Sequence, residues 1–476
     1  MKRVLKFLLA HKYTLYVLSV VFTVWVVVYL NTLSIPIIQQ WDEARNAINT
    51  QEMLQNGHWL VRYFEGQPET WELKPPFLIW TQCLSTGVLG MTEFGIRFPS
   101  ALAALGIAII TMLFLVQEGI KPITAAICAT LTITFPAALH PHGFLFGDHD
   151  ALLCFFQALM LVSQYRFFKT GKSFWVWIAA LAFLLGWLTK SIAVCFVLPG
   201  IFMMGIIDAE YRKRLFSVKQ IAAYSAALTI ITAYYLARNH YQPGYTDLVN
   251  QEEWLGRFAQ HPDANNDIFY YLKGFYKERL HGFVFPALLA FCWSLYRWKK
   301  QSFSAMGCMI ILFKLPIISM SQSKNFWYDL PLLFPIALCM ARLLNDLFHY
   351  SDQKLPKSSL IIGALLILII TKNAVRMVGS HDHSKNLNKK EITIQYLKTN
   401  RFSTTEKYGV YCNAFNTDIR FYLNNLNRKG YNFSIAEPGN HPDDFSTIIM
   451  AKEDEASWKS QRNISGTESK LIVLGR

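Results

Sequence analysis

Long apolar runs recur along most of the chain, and they constrain its fold more than any other feature of the sequence. A run of about 20 apolar residues crosses a bilayer as one helix, and eleven runs of this length or slightly shorter are separated by polar turns. They cover residues 13–33, 97–116, 122–138, 151–165, 174–188, 191–207, 220–237, 281–296, 303–320, 329–345 and 359–377. A chain of 476 residues that is 53% hydrophobic and 16% charged exceeds what one water-soluble core buries. The sequence therefore predicts a polytopic α-helical membrane protein with about 11 transmembrane helices.

A twelfth apolar stretch, residues 76–90, decides the sidedness of everything after it. With eleven spans, the basic clusters at 166–172, 212–219, 297–300 and 354–357 share the side of the N-terminus. That side then has about 17 Lys and Arg in about 60 residues, against about 10 in about 130 on the other side. The positive-inside rule therefore predicts a cytoplasmic N-terminus and makes residues 76–90 an interfacial helix.

The net charge of +14 agrees with this topology better than with a nucleic-acid partner. The basic residues lie in short clusters between apolar runs and form no single basic face, so no nucleic acid is predicted to bind. Seven of the eight cysteines lie in apolar stretches without ligand spacing. This distribution argues against a disulfide framework or a zinc knuckle.

The same topology places two long loops, 34–96 and 238–280, outside the cytoplasm, where we expect the chemistry to occur. Residues after 379 turn polar, which predicts two domains, a transmembrane domain over 1–379 and a small extracytoplasmic α/β domain over 380–476. The second domain is expected to have strands at 408–412, 432–436, 446–450 and 470–474, and helices at 390–398 and 418–425.

The first outer loop has charged residues at both of its ends. Asp42 and Glu43 open a helical pattern and Arg45 follows one turn later, which alone is typical of a helix N-cap with a local ion pair. Lys74 precedes two prolines, whose fixed φ angles place the lysine on a stiff turn at headgroup depth. A lone lysine there is typical either of a headgroup anchor or of a phosphate ligand.

Charged residues also border or enter later spans. Asp148 and Asp150 open the span that begins at residue 151, where helix capping and a functional role both remain open. Lys190 is predicted in a tight turn with Thr189, too short to bury it far from water. Lys314 lies within a span, so it is a functional candidate unless its side chain reaches outward to the interface.

Several short motifs, taken in order, resemble one known family. They are Asp42-Glu43-Ala44-Arg45, Gly57-His58-Trp59, Gly66, Lys74-Pro75-Pro76, residues 94–102, Asp148-His149-Asp150, Leu188-Thr189-Lys190, residues 252–258, Ser323-Lys324 and Tyr328-Asp329-Leu330-Pro331. The set resembles the bacterial aminoarabinose transferase of lipid A and the protein O-mannosyltransferases of glycosyltransferase family 39, in the GT-C superfamily. It covers the chain to about residue 345. The family often has an acid directly before Lys-Pro-Pro, whereas this chain has Leu73 there and Glu72 one position earlier.

The resemblance implies a glycosyltransferase that takes a sugar from a polyprenyl-phosphate donor. It implies an extracytoplasmic reaction at a bacterial inner membrane, with inversion, and a lipid, glycan or protein acceptor. The implied catalytic residues are Asp42 as the base, with Glu43 and Arg45 orienting it. The implied ligands of the donor phosphate are Lys74, Arg257 and Lys190, and the implied sugar-pocket or orienting residues are Asp148, Asp150, Lys324 and Tyr328. The resemblance implies no cofactor with certainty and leaves the use of a divalent metal open.

Two other classes of protein share parts of this pattern. A transporter or flippase of lipid-linked sugars is the main alternative, but it would place broken helices or paired charges near the midplane of repeated halves. The sequence has no such repeat, and its polar residues collect in the outer loops. A sensor that binds sugars or peptides through the C-terminal domain is disfavoured because Asp42, Arg45 and Lys74 occur together.

Overall fold

The structure is a computed structural model that describes residues 12–255, 265–299, 302–379, 388–413, 416–437, 444–460 and 470–474. The chain divides into two compact units. The helical unit comprises Met1–Thr32, Pro68–Leu78 and Phe98–Gly379. The mixed unit comprises Leu33–Gln67, Ile79–Arg97 and Ser380–Arg476.

Helices dominate the described part of the chain. In chain order the α-helices are α1 (Lys12–Trp25), α2 (Asp42–Asn56), α3 (Phe77–Leu89), α4 (Glu93–Gln117), α5 (Pro122–Thr134), α6 (Pro136–Leu139), α7 (His149–Thr170), α8 (Ser173–Lys190), α9 (Leu198–Ile206), α10 (Ala209–Leu215), α11 (Val218–Tyr241), α12 (Tyr245–Val249), α13 (Tyr270–Gly274), α14 (Val284–Tyr296), α15 (Phe303–Met320), α16 (Leu333–Lys354), α17 (Ser358–Gly379), α18 (Lys389–Thr399), α19 (Thr417–Asn427) and α20 (Lys452–Ser460). The strands are β1 (Tyr63–Phe64), β2 (Gln67–Pro68), β3 (Lys407–Tyr411), β4 (Asn432–Ile435), β5 (Thr447–Ala451) and β6 (Lys470–Leu474).

Eight helical stretches in the described residues are long and apolar enough to cross a membrane. They are Tyr13–Leu30, Glu93–Gln117, His149–Thr170, Ser173–Ile206, Val218–Tyr241, Phe303–Met320, Phe326–Lys354 and Ser358–Gly379. The predicted runs 174–188 and 191–207 lie in one of these stretches, apart from residue 207. The run 122–138 covers the shorter helix α5 and most of α6, and the run 281–296 covers a short 3-10 helix and α14. The polytopic helical class is confirmed, whereas the number of eleven spans stays a prediction.

The predicted interfacial segment 76–90 forms α3, which is a helix of 13 residues. Thirteen residues rise about 20 Å, less than the ~30 Å hydrocarbon core of a bilayer. The helix itself is confirmed, and its place at the membrane interface stays a prediction.

Helices α7 and α8 form an antiparallel pair in the helical unit. The two helices turn back on each other at Gly171, whose φ of 67° glycine adopts without strain while its N–H caps Phe167 O. Because α7 has 22 residues and α8 has 18, the start of α7 returns beside the end of α8. This geometry brings Asp150 to Lys190.

A four-stranded parallel sheet forms the centre of the mixed unit, in the order β4-β3-β5-β6. Val410 in β3 aligns with Ile435 in β4 and with Ile449 in β5. The four strands and two helices expected after residue 379 are present within one or two residues, and α20 is an additional helix. The hydrophobic core of this unit includes Ile48 of α2 and Ile96 of α4 as well as Val410. The predicted domain boundary at residue 380 stays a prediction.

Candidate functional site

Glu43 in the mixed unit forms a buried, two-pronged ion pair with Arg97. Arg97 Nε and Nη2 lie 2.6 and 2.8 Å from the two oxygens of Glu43. Its remaining N–H groups donate to the carbonyls of Leu33, Pro36 and Ile37 at 2.7–2.9 Å. All five guanidinium N–H groups are thus used. The pair fastens the segment that leads into α2, so Glu43 has a positioning contact in addition to the orienting role predicted for it.

Asp42 is the first residue of α2 and is half-buried. The N-cap position belongs to Trp41, which makes no side-chain capping bond, so the alternative of Asp42 as the N-cap is wrong. Trp41 has a φ of 71° and a ψ of −117°, a conformation that a bulky residue seldom adopts. Backbone strain of this kind concentrates at functional positions. Arg45 lies one turn later with its guanidinium 4.0 Å from the centre of the Phe64 ring.

Lys74 in the helical unit is held on its stiff turn from two sides. Its Nζ lies 2.5 Å from Glu72 Oε1, and both side chains are buried. The hydroxyl of Tyr245 donates to the carbonyl of Leu73 at 2.7 Å. Glu72, displaced by one position from the family pattern, therefore still pairs with the lysine.

Asp148 caps α7 and lies between two histidines. Its Oδ1 accepts the His149 N–H at 2.6 Å and lies 3.1 Å from His149 Nδ1, while Oδ2 lies 2.5 Å from His142 Nδ1. Burial alone would raise the pKa of Asp148, but the hydrogen bonds and charges of the two histidines lower that pKa well below its usual range. His142 also stacks on Trp327 at 3.7 Å. Carboxylate oxygens and imidazole nitrogens are common ligands of divalent metal ions. Asp148 and His142 are therefore the residues around this N-cap that would hold such an ion.

Asp150 and Lys190 form a second buried pair two residues further into α7. Lys190 Nζ lies 2.5 Å from Asp150 Oδ2, and the side chains are 7% and 1% exposed. The predicted tight turn at Lys190 is wrong: α8 continues through this residue and a 3-10 helix follows it over Ser191–Val197. Burial is tolerated there because Asp150 supplies the opposite charge.

The Asp150–Lys190 pair lines a narrow cavity in the helical unit. Its other charged lining residues are Lys314 and Glu253, and its walls are largely apolar side chains such as Phe196 and Ile318. Lys190 lies 5.5 Å from the ring centre of Tyr328, which also lines the cavity. Lys314 is 1% exposed and bonds to Gln157 Oε1 at 3.1 Å, so its side chain points into the unit instead of reaching outward.

The remaining predicted site residues lie apart from this cavity or outside the described residues. Lys324 donates to the carbonyls of Asn265 and Ser321, and burial lowers its pKa against the opposing charge of Asp267. Arg257 lies outside the described residues. The structure thus brings Asp150, Lys190 and Tyr328 to one cavity, with Lys74 within electrostatic range of Lys190.

Sequence reasoning missed three partners of buried carboxylates. Arg97 begins an apolar run, His142 lies in a short outer loop, and Arg279 binds Asp329 at 2.8 Å with both side chains buried. An ionisable residue at the edge of an apolar run was the available signal for Arg97 and for Asp329.

Sequence comparisons place the chain beside membrane glycosyltransferases. A family model described as dolichyl-phosphate-mannose-protein mannosyltransferase matches residues 73–239. The undecaprenyl phosphate-α-4-amino-4-deoxy-L-arabinose arabinosyl transferase 2 of Pseudomonas fluorescens is 26% identical over 344 residues. That match covers 69% of this chain and 59% of the relative, so the chain spans about three fifths of that protein.

Solved structures share the fold at low sequence identity. ArnT from Cupriavidus metallidurans bound to undecaprenyl phosphate superposes with a TM-score of 0.66 at 14% identity, covering 95% of this chain and 88% of ArnT. The apo oligosaccharyltransferase of Archaeoglobus fulgidus gives a TM-score of 0.57 at 15% identity, covering 89% of this chain and 64% of that protein. The predicted resemblance is therefore confirmed: the chain is an integral membrane protein that has the GT-C fold and resembles the aminoarabinose transferases and O-mannosyltransferases in sequence.

Proposed function

We propose that the protein is an integral-membrane glycosyltransferase that transfers a sugar from a polyprenyl-phosphate donor to a lipid, glycan or protein acceptor. The observation that carries the proposal is the cavity of the helical unit, where buried Lys190 and Lys314 stand among apolar walls. A phosphate attached to an isoprenoid chain has the same combination of an anionic head and an apolar tail. The relatives' names and the undecaprenyl phosphate of ArnT support this choice of donor.

The lysines stabilise the leaving group. During transfer, the bond between the anomeric carbon and the phosphate oxygen breaks and its electron pair stays on the phosphate. Cations fixed before the reaction lower the energy of that charge without reorganisation. Lys190 uses one of its three N–H groups on Asp150 within the described residues, which leaves capacity for phosphate oxygens. Lys74 and Arg257 keep their predicted roles at the donor phosphate.

The acceptor oxygen forms the new bond to the anomeric carbon as the phosphate leaves, which inverts that carbon in one displacement. A hydroxyl acceptor loses its proton in this step, and Asp42 takes it as the general base. The strained backbone at Trp41 supports a functional role for the residue that follows it. Asp148, Asp150 and Tyr328 shape the sugar pocket.

The reaction faces the extracytoplasmic side of a bacterial inner membrane, with the N-terminus in the cytoplasm and residues 380–476 outside. The bias of basic residues between the two sides supports this orientation. A reporter fused after Met377 should report an extracytoplasmic position, and a cytoplasmic signal there would reverse the assignment.

The test is transfer by the purified full chain from undecaprenyl-phosphate pentose, hexose and aminosugar donors, read by the mass of the glycosylated product. Lys190→Met should slow transfer per folded molecule about 10- to 100-fold by removing a charge-assisted contact of about 1.5–3 kcal/mol. Rates are compared per folded molecule because the substitution also leaves Asp150 buried without its partner. The matched control is Lys219→Met, an exposed lysine at the start of α11. Equal rates in the two variants would remove Lys190 from the donor site. Movement of the lipid across the membrane without any product would identify a flippase instead.

A further inference from the structure

The mixed unit contains an open groove of about 620 Å³ that the proposed reaction does not use. It lies between the last turn of α2, the hairpin that follows, and the last turn of α19. Glu52, Gln55 and Asn56 line one side, and Asn424, Asn427 and Arg428 line the other. Planar amide, carboxylate and guanidinium groups thus supply most of its polar surface.

The hairpin beside the groove is fixed in a strained form. Glu65 and Gly66 have φ angles of 54° and 74°, as in a type I′ turn, and a non-glycine residue seldom adopts such a value. The Glu52 carboxylate accepts both of their N–H groups, at 2.6 and 3.0 Å. Apart from Glu65 and Gln67, no atom of the described residues lies within 4 Å of the place that a Cβ on Gly66 would occupy, so the described part of the groove stays open at this point.

Hydrogen bonds also hold the amide groups of the groove in place. These bonds use only part of the hydrogen-bonding capacity of each amide. Asn427 bonds through its side chain to both backbone groups of Phe433, at 2.7 and 2.8 Å. Asn56 Oδ1 accepts the His58 N–H at 2.8 Å, and among the described residues no hydrogen bond engages the NH₂ group of Asn56. Each of these amides keeps donor or acceptor positions for a ligand.

Aromatic rings complete the lining. The rings of His58 and Tyr63 stack at 5.2 Å with an angle of 24° between their planes, and both residues border the groove. A flat aromatic surface packs against the C–H face of a sugar ring, while paired amides match its hydroxyl groups, each of which donates and accepts.

We propose that this groove is a carbohydrate-binding site for a neutral oligosaccharide. A neutral ligand is favoured because Glu52 and Arg428 balance each other and because two helices end at the groove, where their dipoles disfavour anions. The volume lies within the range of ligand clefts and suits two or three sugar rings. The inference does not rest on the proposed transferase activity.

The experiment measures saturation-transfer NMR between the detergent-solubilised full chain and three probes, maltotriose, mannotriose and chitotriose, without any lipid donor. At least one probe should bind with a Kd of about 0.1–10 mM. The double substitution Gln55→Ala and His58→Ala, at two exposed positions, should weaken that binding about tenfold or more. The control Gln395→Ala, an exposed glutamine in α18, should leave it unchanged.

Binding of none of the three probes, or equal binding by the double variant and the control, would overturn the proposal. Should the double variant lose its fold, Gln55→Ala alone carries the same comparison. Lys190→Met separates the two sites, because it is expected to impair transfer and to leave trisaccharide binding intact. Loss of binding in Lys190→Met alone would place the sugar in the cavity of the helical unit and contradict the groove.

Discussion

Two buried ion pairs, one in each unit, differ in how fully their hydrogen bonds are used. Arg97 spends all five N–H groups on Glu43 and three carbonyls, and its side chain is fully buried. Lys190 makes one bond within the described residues, to Asp150, and lines a cavity. A saturated pair has no capacity left for a ligand and holds the fold. An unsaturated pair at a cavity has capacity left for substrate.

The same contrast separates neighbours in the sequence. Asp42 and Glu43 were both predicted to be catalytic, yet Glu43 is locked by Arg97 whereas Asp42 is half-buried at the first position of α2. Substitution of Asp42, and of the Arg97 that binds Glu43, therefore distinguishes a loss of catalysis from a loss of stability.

The largest effect is expected for Asp42→Asn, which keeps the shape of the side chain but removes the base. Loss of a general base lowers rates by about 10²–10⁴, so transfer to a hydroxyl acceptor should fall in that range at an unchanged unfolding temperature. Kinetics on a matched folded amount of protein provide the measurement. Full activity on a hydroxyl acceptor would refute the base assignment, and a modest loss would indicate an acceptor that is already anionic.

The next largest effect is expected for Arg97→Met, which tests the ion pair between Arg97 and Glu43. It leaves Glu43 as a buried charge without its partner, a change that costs about 3–5 kcal/mol. The unfolding temperature and the yield of folded protein should fall, whereas activity per folded molecule should stay near that of the wild type. The control is Arg212→Met at an exposed position of α10, which should change neither. A stable but inactive Arg97→Met protein would assign the arginine to the reaction.

The cavity and the ion pairs were predictable to different degrees. The meeting of Asp150 with Lys190 follows from the lengths of α7 and α8 on either side of Gly171. The tight turn at Lys190 was wrong because a lysine after an apolar run is typical of a helix end in water, and its buried partner lies 40 residues earlier in the chain.

In the mixed unit, the secondary structure was predictable from the sequence, whereas the packing was not. Its strands alternate with helices clearly enough to be placed within one or two residues, but the packing of Ile48 and Ile96 in the same core depends on contacts more than 300 residues apart in the chain. Arg97 was missed for the same reason, since its carbonyl partners are set by tertiary structure.

Lys314→Met should separate function from stability in the cavity. The lysine is buried in α15 and its described hydrogen bond goes to the neutral amide of Gln157. Replacing a buried charge by an apolar group of similar length is often neutral or stabilising, so the unfolding temperature should hold or rise. Use of the donor should fall about 30-fold, equivalent to ~2 kcal/mol. A variant that is less stable and equally active would make Lys314 a structural residue.

The smallest effect is expected at Asp148. It tests whether the charged carboxylate, bonded to His142 and His149, stabilises the folded state. The pKa of Asp148 is lower in the folded chain than its unfolded value of about 3.9. The stabilisation is therefore fully present above about pH 4 and is lost as the pH falls through the folded pKa.

Asp148→Asn should lower the unfolding free energy by about 1.5 kcal/mol at pH 6, the contribution of a hydrogen bond to a charged group. The difference from the wild type should shrink as the pH approaches 3, and Asp208→Asn, at the half-buried N-cap of α10, serves as the comparison at each pH. A gap that widens towards low pH would mean that the protonated form of Asp148 is the one that the folded state prefers.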